Sequence, residues 1–372
     1  MSQDFSNYEL RWPPVLFASE GKRVLSGKRG SWEERATWLM TEAFASTTAV
    51  ADFQDAGTVS DPWSSPGSGW GRTESDPPAR VWFAELVARS SELRQAAAPR
   101  PYWPERRSAR GADGFNPSNA RLAFAQVLGD FSGSGYLVEV FGQECVDDSS
   151  ELPDASRIIE KRLGISGLWP LAPESWGDDT FYGLVEVFHD LISRPRHRYY
   201  HPFNQCGWHY TEFHNGPARE LYRWKVNSML RETGIEYELA SEGEDLGRLV
   251  AVTDDARSSL VHRSLDESPV DVAGRVRHAV ALYRGRESSI ESKRSAILAL
   301  VGILEERRAL ITQQLGKSDG GALFQIANQF NLRHHRSDQL SDYSEAFLDW
   351  IFWWYLATVE LSNGLLSSPA DS

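Results

Sequence analysis

Ile290, Ile297, Leu304 and Ile311 stand seven positions apart, with Val301 between them. That repeat draws one apolar stripe along a helix, and water tolerates such a stripe only when other helices cover it. The C-terminal third therefore reads as a helical bundle over residues 256–372. Asp271 caps a helix through Arg284, and Ser288 or Ser289 opens the long one, which runs to about Gln314. Gly320 and Gly321 separate it from a shorter helix over Ala322 to Phe330, and Asp342 starts the last. That last helix carries Phe347, Ile351, Trp354 and Leu361 on one side and Leu348, Phe352, Tyr355 and Val359 on another. Both sides need cover, one from the bundle and the other from a neighbouring domain or a second copy in a homodimer.

A chain of 372 residues exceeds one ordinary core, and its 41% hydrophobic and 24% charged content is globular. The longest uncharged apolar stretch, Trp350 to Val359, has ten residues. Crossing hydrocarbon takes about 20, so no membrane association is expected. The first residues lack a basic start followed by an apolar run, and only Cys145 and Cys206 occur, so a cytoplasmic protein without disulfides is expected. The net charge of −13 disfavours non-specific coating of nucleic acid. Between Arg275 and Arg336, however, eleven Lys or Arg face five Asp or Glu, a local excess of cations dominated by arginine.

Upstream, residues 1–110 form a poorly defined N-terminal region. Helices are expected from Ser31 to about Ala45 and from Ala79 to Ala97, joined by a flexible loop rich in Gly, Ser and Pro over Asp52 to Arg80. Residues 111–255 read as an α-rich module, with helices opening at Pro117, spanning Phe181 to Ile192, and running from Pro217 to Thr233. Alternation over Ile235 to Leu239 and Gly247 to Val252 predicts a small β-hairpin, the one clear β signal. The stretch from His197 to Asn215 reads as a loop. The fold class is mainly α: a C-terminal helical bundle and an N-terminal α-rich module carrying that hairpin.

Two constellations offer chemistry. Asn328, Arg333, His334, His335 and Arg336 crowd the turn before the last helix. Arginines there can hold a phosphate, with Arg284 and Arg286 as further phosphate or RNA contacts. A histidine near neutral pKa can move the proton of a ribose hydroxyl, which is the inventory of metal-independent RNA cleavage. The alternative is a polar turn that satisfies helix carbonyls and pairs with Asp338 or Asp342. His189, His197, His201, Cys206, His209 and His214 form the second set, in which His197 with His201, or His209 with His214, could approach zinc. Their spacing matches no standard signature and aromatic residues interleave them, so aromatic packing with no metal and no cofactor is the expectation. Asp147, Asp148, Glu151 and Asp154 read as a solvated acidic loop. Fingerprints of P-loops, dinucleotide sites and hydrolase nucleophile elbows are absent.

Certain residues carry a family likeness. The runs Ala279 to Arg284, Lys293 to Ala296, Ile326 to His334 and Phe347 to Leu356 resemble the HEPN-type helical domain of bacterial abortive-infection (AbiJ-like) proteins. Phe188-His189-Asp190, Gly207-Trp208-His209, and Tyr222 and Arg223 with Asn227 resemble the module that accompanies it. The resemblance implies phage defence or toxin biology, an RNA substrate, an antitoxin or defence-system partner, and a dimeric metal-independent RNase. Arg333 matches the arginine of the family's motif and His334 the polar residue after it. The closing histidine is missing, since positions 338, 339 and 340 are Asp, Gln and Leu. Either His334 or His335 replaces it, or the domain binds RNA, a nucleotide or a protein without cleavage.

Overall fold

The computed structural model describes residues 4–27, 32–58, 76–96, 117–148, 150–243, 245–266, 268–285, 289–329 and 345–367. The protein is mainly helical, as its sequence predicts, and divides into two compact units, Met1–Gly234 and Ile235–Ser372. The two upstream segments, separated in sequence near residue 110, thus share one unit. The small hairpin expected with them belongs to the helical bundle instead.

In the first unit, β1 (Glu9–Leu10) pairs in parallel with β2 (Arg94–Gln95) beside four helices. These are α1 (Pro14–Ser26), α2 (Trp32–Ala43), α3 (Thr48–Thr58) and α4 (Pro78–Ala88). Both α1 and α4 open on paired prolines, where the missing N–H costs nothing. Phe17, Leu39, Met40, Phe83 and Leu86 on these helices are buried, so the region that reads as poorly defined contributes to a core. The expected flexible loop shortens from both ends, into α3 and α4; residues 59–75 lie outside the described residues.

Next come α5 (Pro117–Gly133), the single turn α6 (Val138–Phe141), α7 (Ala155–Leu163) and α8 (Asp178–Leu191). Asp154 caps α7 by accepting the Arg157 N–H at 3.0 Å, and left-handed Gly164 ends it. The loop expected over His197 to Asn215 is instead the longest hairpin among the described residues. Strand β3 (Arg194–His201) runs antiparallel to β4 (Gly207–His214), with Arg194 opposite His214 and His201 opposite Gly207. Helix α9 (Asn215–Glu232) follows without a break.

The period of two along a strand gives this hairpin two faces. One carries Arg194, Arg196, Arg198, Tyr200, Trp208 and Tyr210. Arg194 is buried and donates to Glu20 at 2.8 Å and Glu42 at 2.9 Å, with Trp12 and Trp38 over its guanidinium. Arg196 closes on both oxygens of Glu20. The ladder of arginines thus docks the hairpin onto α1 and α2. The opposite face carries Tyr199, His201 and His209.

The second unit begins with β5 (Tyr237–Leu239) and β6 (Leu249–Ala251), the predicted antiparallel hairpin. Five helices follow among the described residues: α10 (Asp255–Asp266), α11 (Val270–Arg284), α12 (Ile290–Glu306), α13 (Arg308–Gln329) and α14 (Glu345–Ser367). Ile297, Leu304 and Ile311 of the sevenfold stripe enter one core with Val276, Leu348, Phe352 and Val359, whereas Ile290 is half exposed. The long helix breaks at Arg307 rather than at Gly320 and Gly321, which lie within α13. Arg307 fixes that break by donating to Ser362 at 2.6 Å and Asn363 at 2.7 Å on α14. On α14, Ile351 joins the buried face, while Phe347, Trp350 and Leu361 stay about half exposed. Among the described residues no helix is long and apolar enough to cross a membrane.

Candidate metal centre

Where β3 turns into β4, the backbone is forced. Asn204 and Gln205 have φ of 49° and 57°, and Gly207 has φ of 93°. Left-handed backbone at consecutive non-glycine residues costs on the order of 1 kcal/mol or more at each and persists only where surrounding structure imposes it. Its effect is to curl the chain around Cys206, whose Sγ lies 3.1 Å from Nε2 of His209. The antiparallel register sets His201 and His209 on the same face, and their rings lie 5.7 Å apart.

The fourth member comes from far along the chain. Asp148 N–H donates to the Cys145 carbonyl at 3.1 Å, closing a tight turn that presents the Cys145 thiol 3.8 Å from Nδ1 of His201. The Gln143 side chain donates to the Trp208 carbonyl, docking this turn on β4. Donor atoms of Cys145, His201, Cys206 and His209 all lie within 4.8 Å of one another. A tetrahedral zinc with sulfur at about 2.3 Å and nitrogen at about 2.0 Å sets its ligand atoms roughly 3.3–3.8 Å apart. The widest pair in the observed set therefore needs to contract by no more than about 1–1.5 Å.

The surrounding groups suit a metal as well as the donors do. His201 turns its other nitrogen, Nε2, to the Asp147 carboxylate at 3.2 Å. A carboxylate behind a ligating imidazole fixes the tautomer that leaves Nδ1 free to donate its lone pair, and raises its basicity. Tyr199 stacks on His209 with centroids 5.3 Å apart, holding the ring plane. Two sulfurs and two imidazoles select zinc over the hard cations, which take oxygen. The acidic residues Asp147, Asp148, Glu151 and Asp154 are exposed, as expected, and three of them also have partners: Asp147 backs His201, Asp148 accepts from Ser150, and Asp154 caps α7.

Of the six soft residues singled out in the sequence, the structure gathers His201, Cys206 and His209 and adds Cys145. His197 instead meets Thr211 at 3.0 Å, and His214 lies at the far end of the hairpin. His189 is buried between Arg223, which donates to its Nε2 at 3.0 Å, and Asp190 at 3.2 Å. Burial, then the positive charge of Arg223, outweigh Asp190 and hold it below the usual histidine value. The useful sequence signal was a thiol and an imidazole three residues apart beside a glycine, joined by the only other cysteine.

Among the residues expected to contact phosphate, Arg284 ends α11 and donates to Glu238 at 3.2 Å and to the Ala251 carbonyl at 3.4 Å. Asn328 lies in the last turn of α13, its side chain outside the described residues. Arg286, Arg333, His334, His335 and Arg336 lie outside the described residues altogether. No protein-family model, curated protein or solved structure matches the chain.

Proposed function

We propose that this protein binds one zinc ion through Cys145, His201, Cys206 and His209, and that the ion is structural. The carrying observation is the convergence of four soft donors within 4.8 Å from two separate stretches of chain. Protein fills all four tetrahedral positions, leaving none for the water that a catalytic zinc activates. The ion would join the 142–148 turn to the tip of the β3–β4 hairpin, where the Gln143 side chain also donates to the Trp208 carbonyl. Thiols kept for zinc fit a reducing compartment such as the cytoplasm. Elemental analysis of the untagged full chain tests this reading. One zinc per chain is expected, lost on Cys145→Ser or Cys206→Ser; a wild-type preparation without stoichiometric metal even after zinc is supplied sinks it.

A second reading concerns the C-terminal unit, for which the family likeness suggests an RNA-directed role in phage defence or toxin action. In sequence its motif falls between α13 and α14, which are tied where the Tyr355 hydroxyl donates to the Leu323 carbonyl at 2.7 Å. The chain bearing Arg333, His334, His335 and Arg336 thus departs from one core helix and returns through another. Cleavage of RNA by the purified protein, abolished in Arg333→Ala and His334→Ala, is the expected result for an endoribonuclease. Binding without turnover assigns the non-catalytic form, and equal cleavage by all three proteins refutes both. The exposed Phe347, Trp350 and Leu361 on α14 offer a face for an antitoxin or a second copy.

A further inference from the structure

The four proposed metal donors differ in what borders them. A cavity of about 600 Å³ opens between the turn at residues 143–148 and the tip of the β3–β4 hairpin. Cys145 and Cys206 both line it, and His201 and His209 do not. Both cysteines are half-buried, while His209 is only 7% exposed. A small oxidant can therefore approach the site from its sulfur side. Glu144 and Asp148 also line the cavity, and no Lys or Arg does among the described residues. That charge opposes an anionic oxidant such as glutathione disulfide and leaves a neutral one unhindered.

Cys145 and Cys206 are the only cysteines in the chain, and both are free thiols. Their Sγ atoms lie within 4.8 Å of each other. A disulfide holds its sulfurs about 2.05 Å apart, and a change of rotamer at one or both cysteines covers the remaining gap of under about 3 Å. The backbone permits that movement. Cys145 sits in the tight turn closed by Asp148, and Cys206 lies one residue before β4, so joining them separates no paired strands. A cysteine that ligates zinc is held as its thiolate, the form that attacks a peroxide.

We propose that Cys145 and Cys206 form a peroxide-sensitive pair, which hydrogen peroxide joins as a disulfide with release of the bound zinc. The release rests on the metal reading above; the joining of the sulfurs does not. One thiolate attacks a peroxide oxygen, forming an S–O bond as the O–O bond breaks, and the departing hydroxide takes a proton to become water. The second thiolate attacks that sulfur, forming the S–S bond as the S–O bond breaks, and a second hydroxide leaves to become water in the same way. The sulfurs lose two electrons in all and the peroxide gains them. Two imidazoles then remain of the four ligands that zinc takes.

The test treats the full chain, prepared both with zinc and stripped of metal, with submillimolar hydrogen peroxide. It reads the intact mass without reductant and the zinc released to a chromogenic chelator. Both preparations should lose about 2 Da, the two thiol hydrogens, and dithiothreitol should restore them. The zinc-loaded chain should release its ion in step with that loss. Glutathione disulfide at the same concentration should act at least about tenfold more slowly. Cys145→Ser and Cys206→Ser, checked for fold by circular dichroism, should gain oxygen at the remaining sulfur instead of losing mass. The proposal is overturned if the wild-type sulfurs gain oxygen without linking, if they link only between chains, if zinc stays bound once they are linked, or if glutathione disulfide links them as fast as peroxide does. Zinc bound and both thiols intact after millimolar peroxide also overturns it and leaves the metal reading standing. A chain that takes up no zinc yet links Cys145 to Cys206 refutes the metal reading and supports the pairing.

Discussion

Single residues decide whether the proposed metal site holds. Asp147 touches no metal in the proposed arrangement, yet its carboxylate lies 3.2 Å from His201 and sets which imidazole nitrogen is free. Asp147→Asn should therefore keep zinc but bind it about 10–100-fold more weakly, measured by competition with a chromogenic chelator. Gly135 makes a different point. Its φ is +80°, and a Cβ there would sit 2.5 Å from the Tyr210 ring, whose hydroxyl donates to the Gly133 carbonyl at 3.2 Å. Gly135→Ala should destabilise the N-terminal unit by about 1–3 kcal/mol in urea unfolding, through both backbone strain and overpacking. His189 supplies the pH dependence. Its folded pKa is lowered by burial and by Arg223, so the unfolded chain takes up a proton first as the solution is acidified. Stability should fall as pH drops below the unfolded value of about 6.5 and level off once the folded pKa is passed. Unfolding titrations of His189→Gln should lack that loss; an unchanged slope between pH 7 and 5 counts against the assignment.

At the scale of elements, helices were legible where apolar residues repeat, as in α2, α5, α8, α9 and α11, although Asp271, read as a cap, lies inside the first turn of α11, which starts behind Pro269 without a side-chain cap. The β5–β6 hairpin was legible from plain alternation. The β3–β4 hairpin was not, because neither of its faces is simply apolar. One face is a ladder of arginines clasped by buried carboxylates and indoles, the other a row of imidazoles, so the pattern of apolar against polar that marks a strand is missing. Aromatic enrichment over Tyr199, Tyr200, Trp208 and Tyr210 was the surviving β signal. Half the metal site was hidden for the same reason, since only strand register brings His201 beside His209. Cys145 was hidden because proximity in the fold has no trace in a spacing of 56 residues. The dependence of these elements on zinc can be measured. Removing the ion with a chelator should speed amide exchange across residues 142–148 and 201–209 while leaving α12 unchanged. It should also lower the melting midpoint of the N-terminal unit by roughly 5–15 °C if zinc is held at about a thousandfold above its dissociation constant.

Across the whole molecule, charge limits what the C-terminal unit can do with RNA. The local excess of cations between Arg275 and Arg336 suggests a broad phosphate-binding surface, but most of those cations are spent within the protein. Arg275 pairs with Glu306, Arg284 with Glu238, Lys293 with Glu345 and Asp349, and Arg294 with Glu291. Arg307 is held by Ser362 and Asn363, and Arg308 lies 3.6 Å from Glu305. Under the RNA reading, a clamp made by Arg333 and Arg336 alone would meet the backbone of a single strand in a chain whose total charge of −13 repels it. Each neutralised phosphate on a single strand contributes about −0.7 to the slope of log affinity against log salt, so two contacts predict about −1.4. Fluorescence anisotropy with a labelled oligoribonucleotide between low and physiological salt measures that slope directly. A value near −1.4 that falls by about half in Arg336→Ala fits a two-arginine clamp. A slope of about −4 or steeper would mean that the internal ion pairs open to engage RNA, and that the binding surface extends over the bundle.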